Sequence, residues 1–425
     1  QPTLTTWYGD NYGGPHPHRL GKDGKPELVR VSQTADELIV KSWMAIAASR
    51  ADSLCFWNAG QWIKGIEGAE ALAASPTNEV KYVADRDAPA KYGAFIRERF
   101  LPAAELFKGI GNVRAPVALV SRAVTQYATH WGWGHYHYHR QLRSALINVG
   151  LPVDQLGDLE FTPEILSQYR YLVLPMSFLA YDDEAAALKA AAEKGTVVVQ
   201  DAEPAVRYPN DVCLTGLNYR VNRPVETCRP LLDWYTNRTE ELRAMLPAWS
   251  SCDGKDGYTF VKEYKGVRYV TVVNDRRRDG GGLMTEIRTN ATYRPYCAPQ
   301  RITTTLRGVP KGAKVYEFNA DGKGLRVESV EKVEGVEKIE RDFKAAEGVV
   351  YCVYPRALKA PELSTEGALK PGGKATLVVK IRDIDGKPAP GRQIVRLEFA
   401  APDGTLTDED FSGTLTARDP NLDLD

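Results

Sequence analysis

Helical periodicity marks the first clear element of the chain. Thr34 and Glu37 have the spacing of a capping box, and apolar residues follow them at helical spacing. The pattern predicts a helix over 35–49. A short apolar run, 53–57, comes next and predicts a strand that leads into a loop rich in aromatic and amide side chains.

From about residue 113 to 210, short apolar runs alternate with helical patterns. A helical region over 90–107, interrupted or restarted at Pro102, comes before a glycine-rich break, and we place a domain boundary near 112. The alternation after it predicts a parallel sheet with helices on its faces. The predicted strands are 117–121, a strand near 153, 171–174 and 196–200, and the predicted helices are about 139–148, 163–168 and 183–193.

Beyond about residue 210 the strands become short, alternating and separated by turn residues. This pattern predicts an antiparallel β-sandwich. Its predicted strands are 258–264, 267–273, 302–306, 314–318 and 348–354. A link rich in proline and glycine, 355–373, leads to strands at 374–382 and 392–399, where we expect a second, immunoglobulin-like sandwich to begin.

Composition and charge narrow the class of protein. The chain has 425 residues, of which 43% are hydrophobic and 26% charged, as in ordinary globular proteins. Lys+Arg and Asp+Glu are 55 each, so no net charge attracts nucleic acid or an anionic membrane. We expect no membrane span, since no apolar run approaches about 18 residues. The first residues contain no Met and no signal pattern, so we expect a fragment or a processed chain.

No two of the six cysteines are spaced as a C-x-x-C motif, which argues against a zinc ribbon or a thioredoxin-type redox site. Cys55 and Cys352 lie in apolar, strand-like runs and are expected in the core. The other four lie in loop-like sequence, where one or two disulfides would form in an oxidising compartment; they are Cys213, Cys228, Cys252 and Cys297.

Four of the six histidines lie within 130–139. If this stretch is extended, His135, His137 and His139 share one face and offer imidazole nitrogens to a transition metal. The alternative is that the aromatic residues here pack against a neighbouring domain while the histidines form hydrogen bonds at that interface. No carboxylate or cysteine nearby completes a metal site, so we expect no metal and no other cofactor.

Residues 113–210 lack the motifs of several enzyme classes. They contain no cysteine nucleophile and no G-x-S-x-G elbow, and Ser177 has no flanking glycines to admit the strained turn of such an elbow. The chain also has no glycine-rich nucleotide-binding motif. We therefore expect this domain to be non-catalytic.

Two segments near the start of the chain contain aromatic residues next to polar ones. Such a mixture binds sugars, because aromatic rings stack on the C–H faces of a sugar while amides or carboxylates form hydrogen bonds with its hydroxyls. Trp7 and Trp57 are equally compatible with core positions. The candidate site residues are Trp7, Asp10, Tyr12, Trp57, Asn58 and Trp62.

The order of these parts resembles a family of clan A glycoside hydrolases. Residues 1–65 resemble the last strands and helices of their (β/α)8 barrel, and within them 34–58 looks like helix seven leading into strand eight. Residues 113–210 resemble the amidotransferase-like trimerisation domain of β-galactosidases that carry one. The best-matching stretches are 141–155, 169–178 and 183–199, and the sandwich that follows is similar to the domain that closes those enzymes.

The resemblance implies roles for particular residues. Trp57 matches the strand-eight tryptophan that floors the subsite of the cleaved sugar. The loop from Trp7 to Gly14 matches the end of strand seven, where the family has its nucleophilic Glu, but this chain has Asp10 there and no Glu. The family's acid/base Glu belongs to strand four, which this chain does not contain.

The implied fold class is multidomain α/β plus all-β. It comprises the end of a (β/α)8 barrel with linker helices (1–111), a flavodoxin/amidotransferase-like parallel-sheet domain (112–210), a β-sandwich (211–357) and a partial immunoglobulin- or macroglobulin-like β-domain (358–425).

Three hypotheses of function remain open. In the first, the chain is part of a β-galactosidase-like enzyme that cleaves an oligosaccharide or polysaccharide by retaining hydrolysis once the missing strands supply the acid/base. In the second it is a non-catalytic surface or assembly protein with a degenerate glycosidase architecture, and in the third a metal-dependent enzyme centred on the histidines. The expected partners are glycans and either a homotrimer or a chain that completes the barrel, outside the cell, at its surface or in the periplasm.

Overall fold

The computed structural model describes residues 3–8, 12–20, 26–31, 34–48, 51–57, 80–83, 87–122, 151–157, 160–175, 177, 180–201, 203–214, 224–246, 249–277, 297–318, 325–326, 331–333, 335–367, 376–397 and 413–417. The strands before residue 34 and those at 51–57 and 80–83 are described through their backbone pairing.

The first part of the chain is a strand–hairpin–helix–strand unit. Strand β1 (Thr3–Tyr8) is followed by the hairpin of β2 (Tyr12–Leu20) and β3 (Pro26–Val31), helix α1 (Ala35–Ala48) and strand β4 (Ala51–Trp57). Strands β1 and β4 pair in parallel. The predicted helix over 35–49 and the strand over 53–57 are both confirmed.

A long helical stretch follows strand β5 (Val80–Val83). It consists of α2 (Ala88–Phe95), a π-helical turn (Ile96–Phe100) and α3 (Leu101–Phe107). Pro102 lies in the first turn of α3, where a missing N–H and a fixed φ do no harm. The restart of the helix at Pro102 is confirmed, and the irregular turn lies just before it.

The central part contains a five-stranded parallel sheet, as the alternating pattern predicts. Its order is β10-β9-β8-β6-β7, so the first strand lies between the second and the third. The strands are β6 (Val117–Val120), β7 (Asp154–Leu156), β8 (Tyr171–Leu174), β9 (Val197–Asp201) and β10 (Val212–Leu214). Helices α4 (Pro163–Leu166) and α5 (Asp182–Glu193) cover one face of this sheet. Other helices cover the opposite face, so the sheet is buried on both faces.

Two helices that the sequence did not predict cover that other face. Helices α6 (Pro224–Thr236) and α7 (Thr239–Ala244) lie between the parallel sheet and the sandwich, and their apolar side chains join one hydrophobic cluster with both. The indole of Trp234 meets the ring of Tyr171 edge to face, with ring centroids 5.0 Å apart. Pro230 lies inside α6 and interrupts the helical pattern in the sequence.

The predicted antiparallel sandwich is present. Its two sheets have the orders β11-β14-β18-β17 and β12-β13-β19-β15-β16. The strands are β11 (Ser250–Cys252), β12 (Gly257–Tyr264), β13 (Val267–Asn274), β14 (Gln300–Arg307), β15 (Lys314–Phe318), β16 (Leu325–Arg326), β17 (Glu331–Val333), β18 (Val336–Phe343) and β19 (Gly348–Tyr354).

The middle strands of the sandwich sheet β12-β13-β19-β15-β16 are covered on both faces. Along β19, Val349, Tyr351 and Val353 point into the sandwich, while the alternate residues point to helices α1–α3. This explains why β19 contains only Gly, Val, Tyr and Cys, and why β13 is buried at nearly every position. The helices near the start of the chain and the sandwich therefore share one core.

The last described strands form two separate pairs. Strand β20 (Glu362–Glu366) pairs with β21 (Thr376–Lys380), and β22 (Gln393–Leu397) with β23 (Gly413–Ala417). Strand β20 lies in the stretch that the sequence predicts to be a link, so that prediction is wrong there. Arg392 attaches this region to the rest, because its Nη1 donates to the carbonyl oxygens of Glu105 and Leu106, each at 3.2 Å.

Three of the four cysteines predicted as disulfide candidates, Cys213, Cys252 and Cys297, are free thiols, so no two of them form a bridge. Cys352 is buried, as expected, and burial raises its pKa to about 12. The side chains of Cys55 and Cys228 lie outside the described residues. None of the described helices is both long and apolar enough to cross a membrane.

Candidate functional site

The carboxyl ends of β1 and β4 lie side by side. The two strands are in parallel register, and Tyr8, the last residue of β1, is the partner of Trp57, the last residue of β4. Residues that follow the two strands therefore leave the sheet at the same edge. In parallel α/β sheets this is the edge at which ligands bind.

A small sheet joins the segments that follow the two strands. Strand β3, which comes after β1, pairs in parallel with β5, which comes after β4, from Leu28↔Val80 to Val31↔Val83. Strand β2 begins at Tyr12, the partner of Val31. The long connections at the carboxyl edge are thus held together by backbone hydrogen bonds rather than left independent.

Helix α1, which returns the chain to β4, is fixed at its beginning. The Thr34 Oγ1 accepts a hydrogen bond from the Glu37 N–H at 3.3 Å, which is one half of the predicted capping box, and the Glu37 carboxylate forms a buried ion pair with Lys41. The Asp36 carboxylate accepts from the backbone N–H of Cys297 at 2.9 Å. The first two contacts stabilise the beginning of the helix, and the bond from Cys297 ties it to the segment just before β14.

The predicted site residues divide into two groups. Trp7, Tyr12 and Trp57 are placed by backbone pairing at or near the ends of β1, β2 and β4. Asp10, Asn58 and Trp62 lie outside the described residues; in the sequence, Asp10 comes two positions after β1 and Asn58 directly after β4. The structure thus brings together the strand ends that lead into both predicted sugar-binding segments.

A second group of polar residues lies at the carboxyl edge of the five-stranded parallel sheet, and the sequence analysis considered only Ser177 among them. Arg122 follows β6, Ser177 follows β8 and Asp201 ends β9. The Arg122 Nη1 donates to the Glu184 Oε2 at 3.2 Å, and Arg122 is only 1% exposed. Burial lowers the pKa of Arg122, and the charge of Glu184 opposes this effect. The sequence signal was available, since each of these residues follows a predicted strand.

Ser177 occupies the position where related sheet architectures could present a nucleophile, and its contacts are structural. Its N–H donates to the Asp201 Oδ2 at 2.9 Å, and its Oγ accepts from the Asp201 N–H at 3.2 Å. Ser177 is 2% exposed. A hydroxyl that is buried and accepts a hydrogen bond from a main-chain N–H links the segments after β8 and β9 to each other.

The predicted histidine site, His135, His137 and His139, lies outside the described residues. Within the part of the chain that is described, no three His, Cys, Asp or Glu side chains gather as metal ligands would.

Comparison with known proteins gives no family assignment. No family model matches the chain, and no curated protein matches it. Several solved glycoside hydrolases are similar in structure. A GH42 β-galactosidase from G. stearothermophilus is 11% identical, with a TM-score of 0.41 over 75% of this chain and 57% of that one.

Two further structures show the same degree of likeness. A β-galactosidase from Bacillus circulans sp. alkalophilus is 10% identical, with a TM-score of 0.46 over 83% of this chain and 55% of its own. A rhamnosidase from Novosphingobium sp. PP1Y is 11% identical, with a TM-score of 0.39 over 94% of this chain and 41% of its own. The chain therefore spans about half of the length of these proteins. With TM-scores below 0.5, activity has to be inferred from this chain's own strands and residues.

Proposed function

We propose that this chain is part of a carbohydrate-active protein of the β-galactosidase-like type. Strands β1 and β4 are then the last two strands of a (β/α)8 barrel, and the glycan binds at their carboxyl ends. The parallel pairing of the two strands, which is in register from Leu4 to Tyr8, carries the proposal, because it sets Tyr8 beside Trp57 at one edge.

The residue types at the ends of the two strands, and directly after them in the sequence, suit a sugar. Trp57 offers an aromatic face, and Asn58 and Asp10, the latter two positions after β1, offer an amide and a carboxylate for hydroxyl groups. The sheet of β2, β3 and β5 joins the two connections, so that both segments can act on one ligand. Preorganised binding segments reduce the entropy lost when a ligand binds.

Asp10 is the proposed nucleophile of a retaining mechanism. That mechanism needs two carboxyl groups about 5 Å apart, one to form a covalent glycosyl intermediate and one to act as acid and then as base. Asp10 stands in the position that the family resemblance gives to the nucleophile. The acid/base would come from a barrel strand beyond those in this chain.

The second candidate function is a non-catalytic surface or assembly protein. The observation in its favour is the residue type, since Asp10 stands where the resemblance calls for Glu. An aspartate is one methylene shorter, which retracts the carboxylate from the sugar.

The experiment introduces Asp10→Asn and Asp10→Gly into the complete protein. It compares the rates at which these variants and the unaltered protein hydrolyse a panel of aryl glycosides. We expect turnover to fall by about 1,000-fold or more, because the covalent intermediate cannot form. Azide is expected to restore turnover in Asp10→Gly, with a glycosyl azide as product, since the small anion replaces the missing carboxylate.

Asp385→Asn is the matched control, because that aspartate is about half exposed and lies far along the chain in the last region. Turnover that is unchanged in Asp10→Asn would eliminate Asp10 as the nucleophile. A protein that binds glycans but hydrolyses none of the panel would establish the second candidate instead.

A further inference from the structure

The last region of the chain, from residue 356 onward, is fastened to the sandwich through its main chain. The Leu358 N–H donates to the Tyr316 hydroxyl at 2.9 Å. The Tyr269 hydroxyl donates to the Arg392 carbonyl oxygen at 3.1 Å and accepts from the Arg392 N–H at 2.7 Å. Tyr269 is fully buried, so its hydroxyl holds the main chain at Arg392 in one place.

Gly391 shows how closely this region approaches the sandwich. A Cβ there would lie 2.6 Å from the Val267 Cγ2 atom and 2.7 Å from the Tyr269 hydroxyl oxygen. Its φ is +80°, a left-handed conformation that glycine adopts most readily. Ile394, three residues further on, packs against the core that α1–α3 share with the sandwich. The main chain around Arg392 therefore lies directly on that core.

The guanidinium group of Arg392 reaches the end of helix α3. Its Nη1 donates to the carbonyl oxygens of Glu105 and Leu106, each at 3.2 Å, and to that of Lys108. The last carbonyls of a helix have no partners within the helix, and their partial negative charge attracts a cation. The Arg392 Cζ atom also lies over the ring of Tyr264, 5.3 Å from its centroid. Arg392 thus caps α3 from a distant part of the chain.

The segment after α3 is in turn bonded to the segment that leads into β4. The Asn112 Nδ2 donates to the carbonyl oxygen of Ala48, the last residue of α1, at 2.8 Å. The Lys262 Nζ donates to the Asn112 Oδ1 at 2.8 Å and to the Ile110 carbonyl oxygen at 3.2 Å, which holds this segment against β12. Helix α3 also packs directly against β4 on the one hand and against β22 and β23 on the other.

We propose that the last region is a brace for strand β4, with Arg392 as its positioning residue. The connection is continuous: Arg392 holds the end of α3, α3 packs against β4, and Asn112 holds the end of α1 just before β4. A module joined to the rest by a flexible link would leave the end of α3 without this cap.

The brace has a consequence for the candidate sugar site. Trp57 ends β4, so a change in the position of this strand would move the edge at which the glycan is proposed to bind. This part of the inference rests on the proposed function. Arg392 itself makes its side-chain contacts with α3 and Tyr264, so it would act on the site only through α3 and β4.

Hydrogen exchange of the full chain, followed by mass spectrometry, tests the brace. In Arg392→Gln we expect the amides at the end of α3 and those of β4 to exchange at least about tenfold faster, because charge-assisted bonds to the helix end are lost and the end opens more often. Arg392→Lys should restore part of the protection, since an ammonium group also donates to helix carbonyls. Arg356→Gln is the matched control, because its side chain is 52% exposed and pairs with the half-exposed Asp385.

Gly391→Ala and Gly386→Ala form a second, matched pair that leaves the arginine in place. Both glycines have a positive φ, so both substitutions carry backbone strain. Only a Cβ at Gly391 would meet the sandwich, since a Cβ at Gly386 would meet no atom within 4 Å. We expect Gly391→Ala to raise exchange in α3 and β4 as Arg392→Gln does, and Gly386→Ala to leave exchange in those elements within about twofold of the unaltered chain.

Calorimetric titration with lactose, a neutral galactoside, tests the consequence for the sugar site. Arg392→Gln is expected to bind lactose about fivefold more weakly or worse, and Arg392→Lys and Arg356→Gln less affected, since a binding edge that is not held in place costs more to order. A role in stability alone would lower the midpoint of urea unfolding without changing the affinity of the folded protein.

Two results would overturn the proposal. Exchange in β4 that is unchanged in both Arg392→Gln and Gly391→Ala would show that the last region does not brace this strand. Faster exchange in β4 with unaltered lactose affinity would show that Arg392 does not position the sugar site. If the unaltered chain bound no lactose, the function proposed above would be contradicted, and exchange in β4 alone would decide whether the brace exists.

Discussion

Gly348→Ala is expected to destabilise the packing of α1 on the sandwich by about 3 kcal/mol. A Cβ at Gly348 would overlap the Cγ, Cδ2 and Cε2 atoms of the Trp43 indole. The indole cannot move aside easily, because Trp43 is 4% exposed and meets the Phe95 ring edge to face, with centroids 5.8 Å apart. Urea unfolding, together with hydrogen exchange of the amides of α1, measures the loss.

Gly157→Ala is the control for this substitution. A Cβ there would meet no atom within 4 Å, so its unfolding free energy should stay within about 0.5 kcal/mol of the unaltered chain. Combining Gly348→Ala with Trp43→Leu should cost less than the sum of the two single changes, because the clash is then relieved. A Gly348→Ala protein as stable as the unaltered one would contradict the described contact between α1 and β19.

Arg122→Leu is expected to destabilise the parallel-sheet part by about 3–5 kcal/mol. The substitution removes the partner of Glu184, whose side chain is 10% exposed, and leaves a buried carboxylate without its cation. Asp201, a second carboxylate, lies close enough to act on the charge of Arg122. The measurement is urea unfolding with hydrogen exchange followed in β6, β8 and β9.

Arg170→Leu serves as the comparison. Its side chain is 44% exposed and pairs with Glu241, which is 40% exposed, so its loss should cost under about 1 kcal/mol. If both substitutions lowered the free energy of unfolding equally little, Arg122 and Glu184 would not form the buried ion pair described at the carboxyl edge of the parallel sheet.

Elements whose pattern is set by local burial could be predicted from the sequence. The strand Tyr171–Leu174 is apolar throughout, and Val197–Asp201 begins with three valines, because helices cover both faces of their sheet. Thr34 marked the beginning of α1 because a side-chain cap is a local contact. The short, mostly apolar runs along Val267–Asn274 and Gly348–Tyr354 likewise predicted strands, although they did not show that α1–α3 cover one face of these strands.

Contacts between residues far apart in the chain could not be predicted. The pairing of β3 with β5 joins residues about fifty positions apart, and the pair of Arg122 with Glu184 joins two different βα segments. Helix α6 was missed because Pro230 interrupts its pattern, and its burial between two other layers compensates for the lost hydrogen bond.

The order of the candidate sugar-binding segments along the chain could be read from the sequence, but their arrangement in space could not. Sequence placed aromatic and polar residues after two strand-like runs, and only the register of β1 with β4 shows that the two runs end at one edge.

Binding to a glycan array tests the central claim, that sugar binds at the carboxyl ends of β1 and β4, most directly. The chain, Trp57→Ala and Tyr181→Ala are compared, the last as a control because Tyr181 is 56% exposed at the beginning of α5. We predict that at least one neutral oligosaccharide is bound and that Trp57→Ala alone loses it, by about tenfold or more, since a stacked ring is removed. Binding that is equal in all three proteins, or absent from the unaltered chain, would contradict the claim.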